Sequence, residues 1–204
     1  MKCENYNEKG FSLVELLISL VITLIIMGAA VAAFSTALGI RERESGRTDA
    51  ITSAQAALSV MSREIGNSGF GLYENGLVIA DCNDKSLRFR ANVVNSGNNA
   101  ATSDPGEDVT YLYDTTSQSV VRYDRNTGAT SGIINRVSDV DFIYHNYAPN
   151  GSSTAGTVAA ANTGRVTITL SIILPDVVGQ PTGRIERVTS DVTLRNSPYM
   201  LGQY

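Results

Sequence analysis

The chain has 204 residues, a formal net charge of −4 and a single histidine. That length accommodates one membrane helix plus one soluble domain with a hydrophobic core, and the acidic balance argues against nucleic acid as the main partner. One histidine excludes a histidine-built metal cluster and repeated histidine acid–base chemistry, and no nucleophile elbow or phosphate-cradling glycine loop is present. Neither a cofactor nor a catalytic activity is expected.

The chain opens on a short polar leader, residues 1–10, in which Lys2 and Lys9 balance Glu4 and Glu8. From Phe11 an apolar run begins, interrupted once by Glu15. From Leu16 to Ala33 it carries no charge, and it continues past Phe34 to Leu38. Such a run suffices to cross a hydrocarbon core of roughly 30 Å as a helix, so residues 11–38 are predicted to be transmembrane. A carboxylate in that setting costs about 2.5–3.5 kcal/mol near the bilayer centre and less near an end. No cation lies between Glu15 and Arg41, so the partner of Glu15 is expected on another chain. A cut between Gly10 and Phe11 would create an α-amino group four residues before Glu15. In staggered subunits the amine of one could meet the carboxylate of the next, acting as a register key more than as a source of stability.

The stretch Lys9-Gly10-Phe11-Ser12-Leu13-Val14-Glu15, followed by the apolar run, resembles the class III signal of type IV pilins and of the pseudopilins of type II secretion. The resemblance implies a leader in the cytoplasm, cleavage after Gly10 by a prepilin peptidase, N-methylation of Phe11 and use of Glu15 in subunit assembly. The bland alternative is a secretory signal peptide with an apolar region from Leu16 to Met27 and cleavage after Ala32 or Ala33. Glu4, Glu8 and Glu15 fit that alternative poorly. Arg41, Arg43 and Arg47 follow the span, interleaved with Glu42 and Glu44, so flanking charge does not fix the orientation.

No proline lies between Ala33 and Gly66, and Ile51, Ala54, Leu58, Met61 and Ile65 form an apolar stripe at heptad spacing. The helix is therefore expected to continue through residues 39–66 as an amphipathic half that lies against the soluble domain, residues 67–204. Arg41, Glu42, Arg43, Glu44, Arg47 and Asp49 are expected to form a mixed-charge surface outside the bilayer. Gly39 and Gly46 mark either close contact or a weak point in the helix. Gly66, Gly69 and Gly71 are expected to end it. The ending Ala57 to Gly71, with its Arg63-Glu64-Ile65-Gly66 turn, is similar to PilW-type minor pilins, and the J-type pseudopilin of type II secretion has a related ending.

Beyond Gly71 the period becomes two. Strands are predicted at Ser86 to Ala91, Val109 to Tyr113, Ser119 to Tyr123, Asp139 to Tyr147, Arg165 to Leu174 and Arg184 to Arg195. Asp114 to Gln118 makes a hairpin turn, and Pro175 stops the clearest strand. Arg88 and Arg90 fall on one strand face, where a solvated surface is the default over an anion site. The close Val192-Thr193-Leu194-Arg195-Asn196 resembles the last strand of PilW-type proteins. The stretches Asn92 to Asp108, Asn126 to Gly132 and Ala148 to Gly164 are expected as loops, the candidate places for partner contacts. Asp81, Asp84, Asp104, Glu107 and Asp108 lack the ligand spacing of a calcium loop and are expected as solvated turns. Of two cysteines, Cys3 lies in the leader, so a processed chain would keep Cys82 alone, expected as a buried thiol. The cysteine pair often seen in the soluble domain of minor pilins is absent. His145 is expected as a partly exposed strand side chain.

The fold expected is α+β: a long N-terminal helix, transmembrane in its first half, whose second half packs on an antiparallel β-sheet in a pilin-like arrangement. The resemblance implies a non-catalytic minor pilin of the inner membrane that joins or initiates a type IV pilus, with its soluble domain outside the cytoplasm. Its implied partners are other minor and major pilins, the prepilin peptidase, the pilus assembly platform, a tip adhesin-like protein and the membrane. Two alternatives stay open: a minor pseudopilin of type II secretion, and an exported binding protein or enzyme with an ordinary signal peptide.

Overall fold

The computed structural model describes residues 10–96, 100–177 and 181–201. One helix, α1 (Leu13–Gly66), carries both the apolar run and the heptad stripe without a break. Its 54 residues give a rod of roughly 80 Å. It stops at Gly66, where the Asn67 N–H returns to the carbonyls of Glu64 and Ile65. Gly69 and Gly76 then adopt φ of 78° and 76°, and their backbones touch: a Cβ on Gly76 would lie 2.1 Å from Gly69 N. Only glycine fits that turn.

The remainder is antiparallel. Strands β1 (Ser86–Arg90), β2 (Asp108–Asp114), β3 (Ser119–Asp124) and β4 (Thr130–Ile134) form a four-stranded meander in that order. A second four-stranded sheet has the order β6-β5-β7-β8, from β5 (Val137–Tyr147), β6 (Ser153–Gly156), β7 (Thr163–Ile173) and β8 (Ile185–Thr193). A short helix, α2 (Pro198–Leu201), follows.

Where sequence reasoning expects one sheet, the structure has two, because pairing across long separations is not written in local periodicity. Two of the expected loops also contain strands. Thr130–Ile134 pairs with β3, starting inside the stretch Asn126 to Gly132, and Ser153–Gly156 pairs with β5 inside Ala148 to Gly164. Both are edge strands whose burial does not alternate: β6 is of small residues and β4 buries only its last, Ile134. The other strands match their expected faces. Val166, Ile168, Leu170, Ile172 and Leu174 are buried, as are Val140, Phe142 and Tyr144, and Leu87, Phe89 and Ala91.

The core lies between the sheets and the second half of α1. Ala54, Ala57, Leu58, Met61 and Ile65 enter it, and Ile51 sits half-buried at its margin. The helix packs on β7 and β8 and touches β4. Glu64 ties it to the first sheet, accepting hydrogen bonds from Tyr111 Oη at 2.8 Å and Arg122 Nε at 2.9 Å. Ser62 and Ser190 share a hydroxyl contact of 3.0 Å with the second sheet. The sheets are joined to each other by Tyr113, which donates to the Val137 and Ser138 carbonyls, and by Tyr144, which donates to those of Asn83 and Ser86.

Candidate functional site

Gly10 and Phe11 lie outside regular structure ahead of α1 and are exposed, with Phe11 82% accessible. A Cβ on Gly10 would meet nothing within 4 Å. Ser12 is the N-cap residue at φ −72°, ψ 143°, and the first helical hydrogen bond runs from Leu16 N to Ser12 O at 3.1 Å. Glu15 falls in the first turn, where the exposed N–H groups and the helix dipole favour a carboxylate. Ser12 and Glu15 have the spacing of a capping box, but the Ser12 side chain makes no cap hydrogen bond. Among the described residues Glu15 has neither a hydrogen-bond nor an ion-pair partner. Its carboxylate is presented outward.

From there to Leu38 every residue of α1 is exposed. The most apolar window of the helix reaches a mean hydropathy of 2.7 with none of it buried, which by length and composition is enough to cross a membrane. Ser19, Thr23 and Thr36 turn their hydroxyls back onto carbonyls three or four residues earlier, so these three hydroxyls are satisfied within the helix. Gly28 and Gly39 face open space, while a Cβ on Gly46 would sit 3.1 Å from Pro175 Cγ. Gly46 is thus a close-contact glycine and Gly39 is not. The mixed-charge surface is partly engaged: Arg47 Nε reaches Glu186 at 2.9 Å, and Arg43 lies 3.6 Å from Glu44.

The other candidates resolve into structural pairs. Arg88 is not on a solvated face; its side chain is 12% exposed, bound to Asp108 at 2.6 Å and to Asp81 at 2.5 Å. Arg90 joins Asp108 at 3.0 Å. Burial alone would raise the Asp108 carboxyl, but the hydrogen bonds from Arg88 and Arg90 outweigh it and hold it below the ordinary value. Nor is Glu107 a solvated turn residue. It is buried and accepts the N–H groups of Val94 and Asp104. These acids are occupied by protein donors, and among the described residues no group of acids, histidine or cysteine is arranged to hold a metal.

Lys85 Nζ lies 2.7 Å from both Asp139 and Asp141, clamping the two sheets. Desolvation would lower its pKa, and those two carboxylates more than reverse that. His145 is half-buried between the Arg165 guanidinium and the Thr167 hydroxyl, its pKa lowered by desolvation and by Arg165. Asp191, bound to the same Thr167 hydroxyl, only partly offsets Arg165. Cys82 is buried, its thiol pushed up by desolvation.

Sequence reasoning missed the role of Glu64, which it read only as part of a family-like ending. It also missed a spatial relation. The helix ending and the close Val192 to Asn196 are in contact: Arg195 N donates to Gly66 O at 3.3 Å, and Asn196 Nδ2 to the carbonyls of Asn67 and Ser68. The helix ending and the close of the last strand form one structural junction.

Residues 5–31 match the family model of the prokaryotic N-terminal methylation motif. The chain carries a type IV prepilin-like N-terminus. That motif, the long apolar helix and the antiparallel sheets behind it support a type IV pilin-like, membrane-anchored protein, a family whose role is structural. Pilin-like systems bring a prepilin peptidase and other pilins as general partners. The matched residues stop well before the helix ending at Gly66, so they carry nothing about the PilW-type resemblance. No curated protein and no solved structure matches the chain.

Proposed function

We propose that the chain is a minor pilin of the PilW type, cleaved after Gly10, methylated on Phe11 and incorporated into a type IV pilus, or initiating its assembly, through α1. The observation that carries this reading is Glu15: a carboxylate in the first turn of a bare apolar helix, with no partner among the described residues. At about 1.5 Å per residue, Arg41 lies roughly 39 Å further along the rod, beyond the reach of any side chain. A neighbouring protomer supplies the cation, and the amine created at Phe11 has the right charge near neutral pH.

The finer, PilW-type assignment rests on the resemblance of the ending Ala57 to Gly71 and of the close Val192 to Asn196, stretches that meet in the fold. In this role the protein catalyses nothing, sits in the inner membrane with its soluble domain outside the cytoplasm, and meets other minor and major pilins, the assembly platform and a tip adhesin-like protein. Glu15→Gln tests the reading. Membrane insertion is expected to be unchanged while incorporation into sheared filaments falls about tenfold, the equivalent of roughly 1.4 kcal/mol. Unchanged incorporation would count against a charge pair at this position.

A further inference from the structure

The sequence contains two Asn-Gly dipeptides, Asn75-Gly76 and Asn150-Gly151. Glycine has no side chain to shield its amide nitrogen from the side-chain carbonyl of the residue before it, so in this pair an asparagine reacts most readily with its own backbone. The two share one local geometry. Asn75 Oδ1 accepts the Leu77 N–H at 3.1 Å, and Asn150 Oδ1 accepts the Ser152 N–H at 3.1 Å. Such an Asx turn folds the asparagine side chain forward over the following peptide. Both glycines have positive φ, 76° and 80°.

Burial divides them. Asn75 is 2% exposed; its Nδ2 donates to the carbonyls of Ala160, Ala161 and Thr163, and its own carbonyl accepts the Ser68 hydroxyl at 2.6 Å. Gly76 is wedged against Gly69 and Arg90. Asn150, Gly151 and Ser152 are instead all exposed at the tip of the β5–β6 hairpin, and a Cβ on Gly151 would meet nothing within 4 Å. Gly151 N donates to Ala148 O at 2.9 Å and Ala148 N to Ser152 O at 2.8 Å, closing the tip. The Ser152 hydroxyl also donates to Asn150 Oδ1 at 2.7 Å, polarising the carbonyl that a nucleophile would attack. Exposed tips of this kind open at little cost, and opening frees the Gly151 nitrogen.

We propose that Asn150 is a self-modification site, which closes on Gly151 to a succinimide and then opens to aspartate and isoaspartate, while the fold holds Asn75 unreactive. The Gly151 nitrogen gives its proton to solvent base and bonds to Asn150 Cγ as the Cγ–Nδ2 bond breaks and ammonia leaves. Water then cleaves one of the two imide C–N bonds. Cleavage at Cγ gives aspartate. Cleavage at the Asn150 main-chain carbonyl gives isoaspartate, with the chain rerouted through the side chain. No enzyme, oxidant or cofactor enters, and the reaction does not depend on the pilin reading.

Either product adds a negative charge to a chain whose formal net charge is −4. Isoaspartate also inserts an extra backbone carbon at a tip closed by the Ala148–Ser152 bond. Asn146 pairs with Thr163, Gly164 O accepts the Leu194 N–H, and Arg195 N reaches Gly66 O, so the tip stands on the helix-ending side of the domain, away from the bare half of α1. The subunit thus carries, on the side remote from its apolar helix, a charge that records its age.

The full chain in detergent is incubated in mildly alkaline buffer, with and without denaturant, and mapped over time by mass spectrometry with electron-transfer fragmentation, which separates aspartate from isoaspartate. In the folded chain Asn150 should convert to both products, and Asn75 at least about a hundredfold more slowly, because it reacts only from the small opened population. In denaturant the two should convert at similar rates. Asn150→Gln, which needs a larger and slower-forming ring, should leave the tip unchanged over the same period. An Asn150 that stays intact in the folded chain overturns the proposal, as does an Asn75 that keeps pace with it there. A rate difference that persists in denaturant assigns the selectivity to local sequence and overturns the part given to the fold. Conversion to aspartate without isoaspartate means direct hydrolysis of the amide and overturns the succinimide route.

Discussion

The two halves of α1 obey the same helical geometry in different solvents. From Leu13 to Leu38 no side chain is buried, and the sequence there is apolar all round. From Ala50 to Gly66 only one stripe is buried, and the opposite face is polar. Among the described residues no side chain buries the first half, so its stability and position must be supplied from outside. The second half is fixed by its domain. The lone acid of the first half follows the same division: Glu64 has Tyr111 and Arg122, while Glu15 has no partner among the described residues.

This division is most strongly tested by truncation on both sides of it. Met61→Ala or Ile65→Ala, at fully buried positions, should lower the unfolding free energy of the domain by about 2–5 kcal/mol in denaturant titrations of the full chain in detergent. Leu24→Ala should leave that transition within about 0.5 kcal/mol of the parent. Equal losses at Leu24 and Met61 would mean that the two halves are not independent. Glu64→Leu should come next, at about 1–3 kcal/mol, because it leaves Tyr111 and Arg122 without their acceptor in a part-buried site.

Acid should act on the domain and not on the bare half. Asp108 is held below its usual value of 3.8 by Arg88 and Arg90 against the effect of burial. A lowered folded-state pKa stabilises above the unfolded value, and that contribution is lost as pH falls below 3.8 through the folded value. Asp108→Asn should therefore be less stable than the parent at neutral pH, with the gap closing on acidification, measured by thermal unfolding across the acid range. The smallest effect expected is at Gly39. Gly39→Ala faces open space and should gain up to about 1 kcal/mol of helix stability, whereas Gly46→Ala should gain less because of Pro175.

The helix was legible throughout because its signals are local: an uninterrupted apolar run, no proline, and a heptad stripe that the structure buries at Ala54, Leu58, Met61 and Ile65. Strand β7 was legible for the same reason, its alternation surviving from Val166 to Leu170 before Ser171 is buried as well. What was not legible depends on partners far away in sequence. Ser153–Gly156 is a strand only because β5 offers an edge. Arg88 alternates like a solvent-facing residue, yet Asp108 and Asp81 cover it, and two charges that neutralise each other leave no trace in periodicity. At the N-terminus Gly10 and Phe11 were singled out by resemblance and Glu15 by its charge within the apolar run, while the contact between the helix ending and Val192 to Asn196 needed three dimensions to appear.

The central claim is that a processed N-terminus at Phe11 supplies the charge that Glu15 lacks. Intact-mass and N-terminal peptide spectrometry of the protein, from cells with and without the prepilin peptidase, tests it most directly. The account predicts a chain that begins at methylated Phe11 when the peptidase is present and an uncleaved leader when it is absent. A mature chain that begins near Phe34 in both would contradict it, since Glu15 would then have been discarded with the signal.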